Sequence, residues 1–258
     1  MNENFKKIAF ISAFVLIGLL AMQVPFSNIL GVTNLKFNLF DFYGPIAGSF
    51  IGSVWGMVIV AAMQIINWAF HGFATDAGTL IRFLPMLLAL LYFAKKTPWI
   101  LIAPGLAMIA FWMHPEGRTA WYYAIYWIIP FAMYFLRDKF VFARALGATF
   151  VAHSVGSVAF LYAFNLKAAV WTSLIPIVWQ ERMLMAIGIT LTYILFNFLL
   201  SLVVKAGFKM PFVKLNPRYS IKIGQLLNQS TKIKSLGISS INQLCFSLQS
   251  LKARGFNL

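Results

Sequence analysis

Long apolar runs recur along this chain, and they limit its fold more than any single motif does. Stretches at 7–23, 45–70, 79–94, 98–113, 120–136, 143–164 and 181–205 carry few charges. A hydrocarbon layer about 30 Å thick is crossed by roughly 20 mainly apolar residues in helical conformation. The whole chain has 258 residues, 61% hydrophobic and 10% charged, with a mean hydropathy of +0.81, a composition far too apolar for a soluble domain. The expected fold is therefore all-α, a polytopic transmembrane bundle. Short, turn-rich pieces separate the runs: HGFATDAG (71–78), KKTP (95–98), HPEGRT (114–119) and RDK (137–139). Such loops make consecutive helices neighbours in one membrane domain over 1–205. The first run is full length and follows Lys6 and Lys7 without a small-x-small cleavage site, so it reads as a span and not as a cleaved signal.

Lys and Arg concentrate on the cytoplasmic side of membrane proteins. Here they cluster at the N-terminus, at Lys95–Lys96, at Arg137–Lys139–Arg144 and after Lys205, whereas 24–35, 71–78, 114–117 and 165–180 together hold only Lys167. Both termini then belong inside, which demands an even number of crossings. The seven drawn segments make an odd number. Either 45–70 enters and leaves on one side, or two short segments are one broken helix, or one charge assignment fails. Six net crossings are expected, seven being the alternative, with an extended outer loop after the first helix.

The segment 206–258 is a different material. From Lys205 to Leu258 there are nine Lys or Arg and no Asp or Glu, against a formal net charge of +15 for the whole chain. It reads as a basic cytoplasmic tail, either solvated and disordered or lying on anionic lipid through the weakly amphipathic SINQLCFSLQSLKA (240–253). Aromatic–basic interleaving is missing, so nucleic acid is not an expected partner.

Several chemistries are disfavoured. Cys245 is the only cysteine, so no disulfide or CxxC metal site is expected. There is no phosphate-binding G-x-x-x-x-G-K-[ST] loop; any ATP-driven step needs another chain. The three histidines are far apart, no H-E-x-x-H occurs, and only six carboxylates exist. An enzyme is not expected, nor a cofactor or metal.

Within GPIAGSFIGSVWG (44–56), Gly44, Gly48, Gly52 and Gly56 recur at every fourth position. On one helix that spacing makes a groove in which two backbones approach closely, the usual device for helix packing in lipid. Pro45 fits a first-turn position.

The run NLKFNLFDFYGPIAGSFIGSVWGMVIVAAMQIINWAFHG (34–72) resembles the first loop and second helix of S components, the substrate-binding subunits of energy-coupling factor transporters. Ala9 and Ala13, an A-x-x-x-A pair in IAFISAFVL, are a second point of resemblance. The likeness covers roughly the first third of the chain. It implies a subunit of a prokaryotic cytoplasmic membrane that captures a vitamin or similar micronutrient from outside. It implies, too, a transmembrane coupling subunit, docked on Ala9 and Ala13, and two ATPase subunits. The seventh apolar segment and the long basic tail depart from the family pattern.

Polar side chains inside apolar spans are costly and mark cavities, partners or interior contacts. Asn67 and His71 end the glycine helix, Arg82 opens the third span, His153 and Ser154 sit within the sixth, and Gln180, Glu181 and Arg182 open the last. Asn67, His71, Arg82, His153, Glu181 and Arg182 are the candidate ligand contacts, beneath a 24–43 loop acting as a lid. That loop carries Asn34, Lys36, Asn38 and Asp41. Arg82 or Arg182 would grip a carboxylate or phosphate through a guanidinium fork. Each has a plainer alternative: Arg82 snorkels to headgroups, Glu181 and Arg182 staple the bundle, and His153 bonds across helices. The competing function is a structural membrane protein that assembles through its small-residue faces.

Overall fold

The structure, a computed structural model, describes residues 2–28, 36–208 and 210–220. Asn34, Cys245 and the amphipathic 240–253 stretch lie outside the described residues. The chain divides into two units, Met1–Asn216 and Pro217–Leu258. Of the second, only 217–220 are described, with a single 3-10 turn at Pro217–Tyr219.

The first unit is mainly helical, with one short hairpin. Helix α1 spans Glu3–Met22, and strands β1 (Pro25–Asn28) and β2 (Lys36–Asn38) pair antiparallel. A helical rod follows, made of α2 (Phe40–Tyr43), a 3-10 turn at Gly44–Ile46 and α3 (Ala47–Ile51). Then come α4 (Ser53–Phe70), α5 (Ala77–Ile81), α6 (Phe83–Ala94), α7 (Ile102–Met113) and α8 (Pro115–Thr119). A 3-10 segment at Trp121–Ile128 leads into α9 (Ile129–Leu136), and α10 (Val141–Phe164) and α11 (Ala168–Lys205) complete the unit.

Five segments are long and apolar enough to cross a membrane: Glu3–Met22, Ser53–Phe70, Ala77–Ala94, Val141–Phe164 and Ala168–Lys205. Two shorter apolar helical stretches, Pro98–Met113 and Trp121–Leu136, accompany them. Large side chains such as Leu16, Ile65, Leu106, Phe135 and Leu191 stand on the outside. An all-α bundle whose long helices are apolar on their outer faces as well as inside is an integral membrane protein.

Two features depart from the sequence expectation. The 45–70 run is not one helix, because it breaks at Gly52, whose φ of 87° and ψ of 153° are open to glycine and strained for other residues. The chain reverses there, and α3 lies against α4. A Cβ on Gly56 would sit 2.6 Å from Gly48 Cα and 2.7 Å from its nitrogen. Gly44, Gly48 and Gly56 are all buried, so the small-residue faces meet each other inside the chain. A four-residue glycine spacing reads the same whether the helix continues or folds back at one of its members.

The second departure is α11. Residues 165–180, expected as a connection, are helical from Ala168 onward, and the helix runs 38 residues through Pro176. The lost proline N–H is accompanied by side-chain bonds that hold this first part. Thr172 and Ser173 hydroxyls donate to the carbonyls of Ala168 and Val170, and Tyr126 donates to Ile175.

Contacts sort the helix ends into two groups. At one end, Lys7 stands over the Trp55 ring, Arg144 bonds Ser49 and the Phe93 carbonyl, Arg137 donates to the Lys95 and Phe93 carbonyls, and Lys96 pairs with Asp138 at 2.6 Å. The Lys96 ammonium holds the Asp138 carboxyl below the ordinary range. Lys214 donates its N–H to the Phe50 carbonyl, and the Asn197 amide exchanges bonds of 3.1 and 2.7 Å with the Asn216 backbone. Those bonds carry the bundle past residue 205 to Asn216. At the other end, Gln23 donates to Asn67, Arg82 faces Asp41, Tyr162 donates to the Ala110 carbonyl, and Glu116 accepts from Lys167 and from the Ala168 N–H.

Candidate functional site

Three helical stretches present one stripe each to a common space. On α11 these are Trp171, Leu174, Val178, Glu181, Arg182, Met185 and Ile189; on α10, Thr149, Ala152, His153, Gly156, Ser157 and Phe160. From α5, α6 and the residue between them come Ile81, Arg82, Pro85, Met86 and Ala89. Spacings of three and four residues keep each set on a single helix face. Asp41 and Pro45 of the helical rod, Tyr123 of the 3-10 segment and Phe37 of β2 close the remaining sides. The cavity has a volume of about 170 Å³ and is open on one part of its boundary.

Helical rise sets its depth. Asp41 lies ten residues from Ile51, Arg182 eleven from Tyr193, whose ring meets Phe50, and His153 nine from Arg144. At about 1.5 Å per residue, each stands roughly 15 Å from the basic end. The cavity is at mid-height in the bundle.

Arg182 is the most constrained side chain in it. Only 6% of it is exposed. Its Nη1 reaches Thr149 Oγ1 and its Nη2 reaches Glu181 Oε2, both at 3.4 Å, and the Phe37 ring centroid is 5.2 Å from the guanidinium carbon. Nε is buried and has no partner among the described residues. Both bonds are well beyond the 2.7–2.9 Å usual for an ionised pair. Arg82 is looser, with 3.7 Å between its Nη2 and Asp41 Oδ2, and both residues border a second, wider groove.

His153 is fully engaged by the protein. Trp127 donates its indole N–H to Nδ1 at 3.1 Å; in the tautomer this network assigns, Nε2–H donates to the Tyr123 oxygen at 2.9 Å. Tyr123 is 1% exposed and Trp127 not at all. The Tyr123 hydroxyl hydrogen is then free to point toward Ser157 Oγ, 3.4 Å away, a long contact for O–H···O. In a 3-10 helix, residues three apart eclipse, so Tyr123 and Tyr126 project together toward α10 and α11.

The structure thus brings Arg82, His153, Glu181 and Arg182 to one cavity, with His153 acting through Tyr123. Asn67 and His71 lie elsewhere, in the wider groove with Gln23, Lys36, Asn38 and Thr79. Asn67 accepts from Gln23 at 2.9 Å, and the His71 ring bonds the Asn67 carbonyl at 2.8 Å. Asp76 caps α5 by accepting from the Thr79 N–H and hydroxyl, which holds its carboxyl below the ordinary range. Ser154 is turned away and bonds the Val151 carbonyl. Ala9 and Ala13 are exposed on α1, whose buried residues are Phe10, Phe14 and Gly18. Of the tryptophans, Trp171 lines the cavity and Trp127 stands behind it.

Tyr123, Thr149, Ser157 and Phe37 escaped sequence reasoning. Tyr123 is one aromatic among several in WYYAIYW, and no local signal separates it from its neighbours. No group of three or more His, Cys, Asp or Glu suited to a metal occurs among the described residues. No protein family, no curated protein and no solved structure matches the chain.

Proposed function

We propose that this protein is a membrane-embedded capture subunit for a small water-soluble nutrient, of the kind the S components of energy-coupling factor importers represent. The observation carrying this reading is the buried Arg182, which lines a mid-bundle cavity with its Nε unpartnered. Arg137 also has a buried Nε without a partner, but its Nη atoms meet the Lys95 and Phe93 carbonyls at 3.0 and 3.3 Å, whereas Arg182 has only two 3.4 Å contacts and lines the cavity. The wider groove serves as a vestibule, and the Arg82–Asp41 pair, bordering both spaces, separates the two. Phe37 brings the hairpin over the inner cavity, as a lid requires. The glycine stripe, which motivated a structural, self-assembling role, is used up in contacts within the chain.

The same reading sets the topology. The hairpin and the Phe40–Ile51 rod together lead the chain from the groove end to the basic end, the rod itself covering about 18 Å from the level of the cavity, and α4 runs back. With this re-entrant return counted beside α1, α4, 77–94, 98–113, 121–136, α10 and α11, the number of traversals is eight where six were expected, still even, and both termini fall on the basic, cytoplasmic side. In this topology the ligand arrives from outside, and energy comes from ATPase subunits through a coupling subunit seated on the exposed Ala9–Ala13 face.

Native mass spectrometry of the protein, purified gently from its own host, tests the proposal. A retained small molecule, lost in Arg182→Met, together with co-purifying subunits, is the expected result. A ligand-free homo-oligomer refutes it.

A further inference from the structure

Building on the capture reading, we infer that the occupant of the inner cavity is a monocarboxylate with a body of about one ring, its carboxylate held by Arg182 and Tyr123. Arg182 has the unmet demand. Its Nε is buried without a partner and its two Nη contacts are both 3.4 Å long, so the guanidinium, which lines the cavity, keeps donor capacity that the protein does not meet and that a pair of oxygens can use. Tyr123 supplies the second donor, since its oxygen already accepts from His153 and its hydrogen has only the long contact to Ser157.

Charge selects the carboxylate over its alternatives. Arg82 and Arg182 face Asp41 and Glu181, two cations against two anions, a formal sum of zero. A single negative charge is served by the donor capacity Arg182 leaves unmet. A phosphate dianion would bring two, next to two carboxylates, with no second uncommitted cation. An ammonium group would find both lining carboxylates, Asp41 and Glu181, already facing Arg82 and Arg182. Size sets the body: an apolar cavity of about 150 Å³ admits benzene, and this one, walled by Met86, Ala89, Phe160 and Trp171, measures about 170 Å³.

The test uses the full chain in detergent with four probes that share a phenyl ring and differ in their polar group, namely benzoate, phenyl phosphate, benzylamine and benzyl alcohol. Thermal midpoint and tryptophan fluorescence report occupancy, since Trp171 lines the wall. Benzoate is expected to raise the midpoint and perturb the fluorescence more than the other three. Arg182→Met should weaken benzoate on the order of 100-fold and Arg182→Lys less, because a buried charge loses its partner. Gly156→Phe should block every probe by filling the space, whereas Gly156→Ala should not, its Cβ having Pro85 Cγ as nearest neighbour at 3.7 Å. Preference for benzylamine, phenyl phosphate or benzyl alcohol overturns the inference, as does benzoate binding that ignores Arg182→Met. If no probe binds, the inference also falls. A metabolite without a carboxylate retained in native mass spectrometry would then leave the capture reading standing, and an empty protein would remove both.

Discussion

Replacing Gly56 with Ala isolates the close crossing of α3 and α4. The added Cβ would lie 2.6 Å from Gly48 Cα and 2.7 Å from Gly48 N. Carbon atoms prefer roughly 3.5 Å or more, so the two helices must part by about 1 Å. Backbone cannot swing aside as a side chain can. Nor can α3 retreat, because a Cβ on Gly48 itself would be 2.6 Å from Ala94 Cβ, which shows α6 close behind it. Overpacking of this kind costs about 1–3 kcal/mol, and the better helix propensity of Ala returns up to ~1 kcal/mol. A net loss of about 1–2 kcal/mol remains, which for a chain of this size lowers the unfolding midpoint by roughly 4 °C. Gly105→Ala is the control: its nearest neighbour would be Phe131 Cζ at 3.7 Å, so its midpoint should hold or rise. Both are read by scanning fluorimetry in one detergent at one scan rate, since membrane proteins commonly unfold irreversibly. Equal midpoints for the two variants would refute the crossing. A drop in oligomer mass without a drop in midpoint would place the glycine face between chains instead.

Tyr123→Phe leaves His153 Nε2–H without its acceptor and should cost about 1–3 kcal/mol, read as a lower midpoint in ligand-free protein; an unchanged midpoint would sever the Trp127–His153–Tyr123 chain. The Ala168 N–H and then Lys167 hold the Glu116 carboxyl below 4.5, so the clamp between α8 and the start of α11 stabilises the fold above that value and is lost as pH falls through the lower folded pKa. Wild type should therefore exceed Glu116→Gln in midpoint at pH 7, with the gap closing in acid; a gap independent of pH would show that the charge is not involved. Asn197→Ala should release residues 210–216 and speed tryptic cleavage at Lys214, and an unchanged digestion rate would contradict the clasp. Ala9→Leu with Ala13→Leu should abolish co-purification of partner subunits while ligand retention persists; loss of retention would make the pair internal packing.

Most apolar helices were readable because apolar length is a local signal. The starts and ends of α1, α6, α7 and α10, and of α9 taken with the 3-10 segment before it, fall within a few residues of the runs that announced them. The failures were at Gly52 and Pro176, the two residues whose meaning depends on tertiary context. Glycine permits continuation or reversal, and what decides between them is the fit of Gly56 onto Gly48, a contact no sequence window contains. Proline ends many helices, yet within α11 its cost is met in packed surroundings. The site was half visible. Arg82, His153, Glu181 and Arg182 stood out because charge and polarity are rare in spans. Tyr123 and Phe37 are aromatics in an aromatic-rich chain, and their roles come from facing His153 and Arg182 across distances in sequence that only folding closes.

Packing and site are tied together through the helical rod. Phe40–Ile51 can lie between its neighbours only because glycines meet it on both sides. A Cβ on Gly44 would reach 2.6 Å from Met86 Sδ, and one on Gly188 of α11 would reach 2.6 Å from Phe42. Met86 lines the cavity, and Phe42 is adjacent to Asp41. Met86 can yield to a side chain at Gly44, but one at Gly188 meets the root of the Phe42 ring, with Cγ at 2.8 Å, and so pushes the rod outward and carries Asp41 away from Arg82, across a gap already 3.7 Å wide. Loosening that pair joins the vestibule to the inner cavity without touching Arg182. Gly188→Ala should accordingly speed probe association and dissociation together while leaving the charge preference intact, because the selecting group stays where it is. A changed preference would mean that Asp41, and not Arg182, sets the charge the cavity accepts.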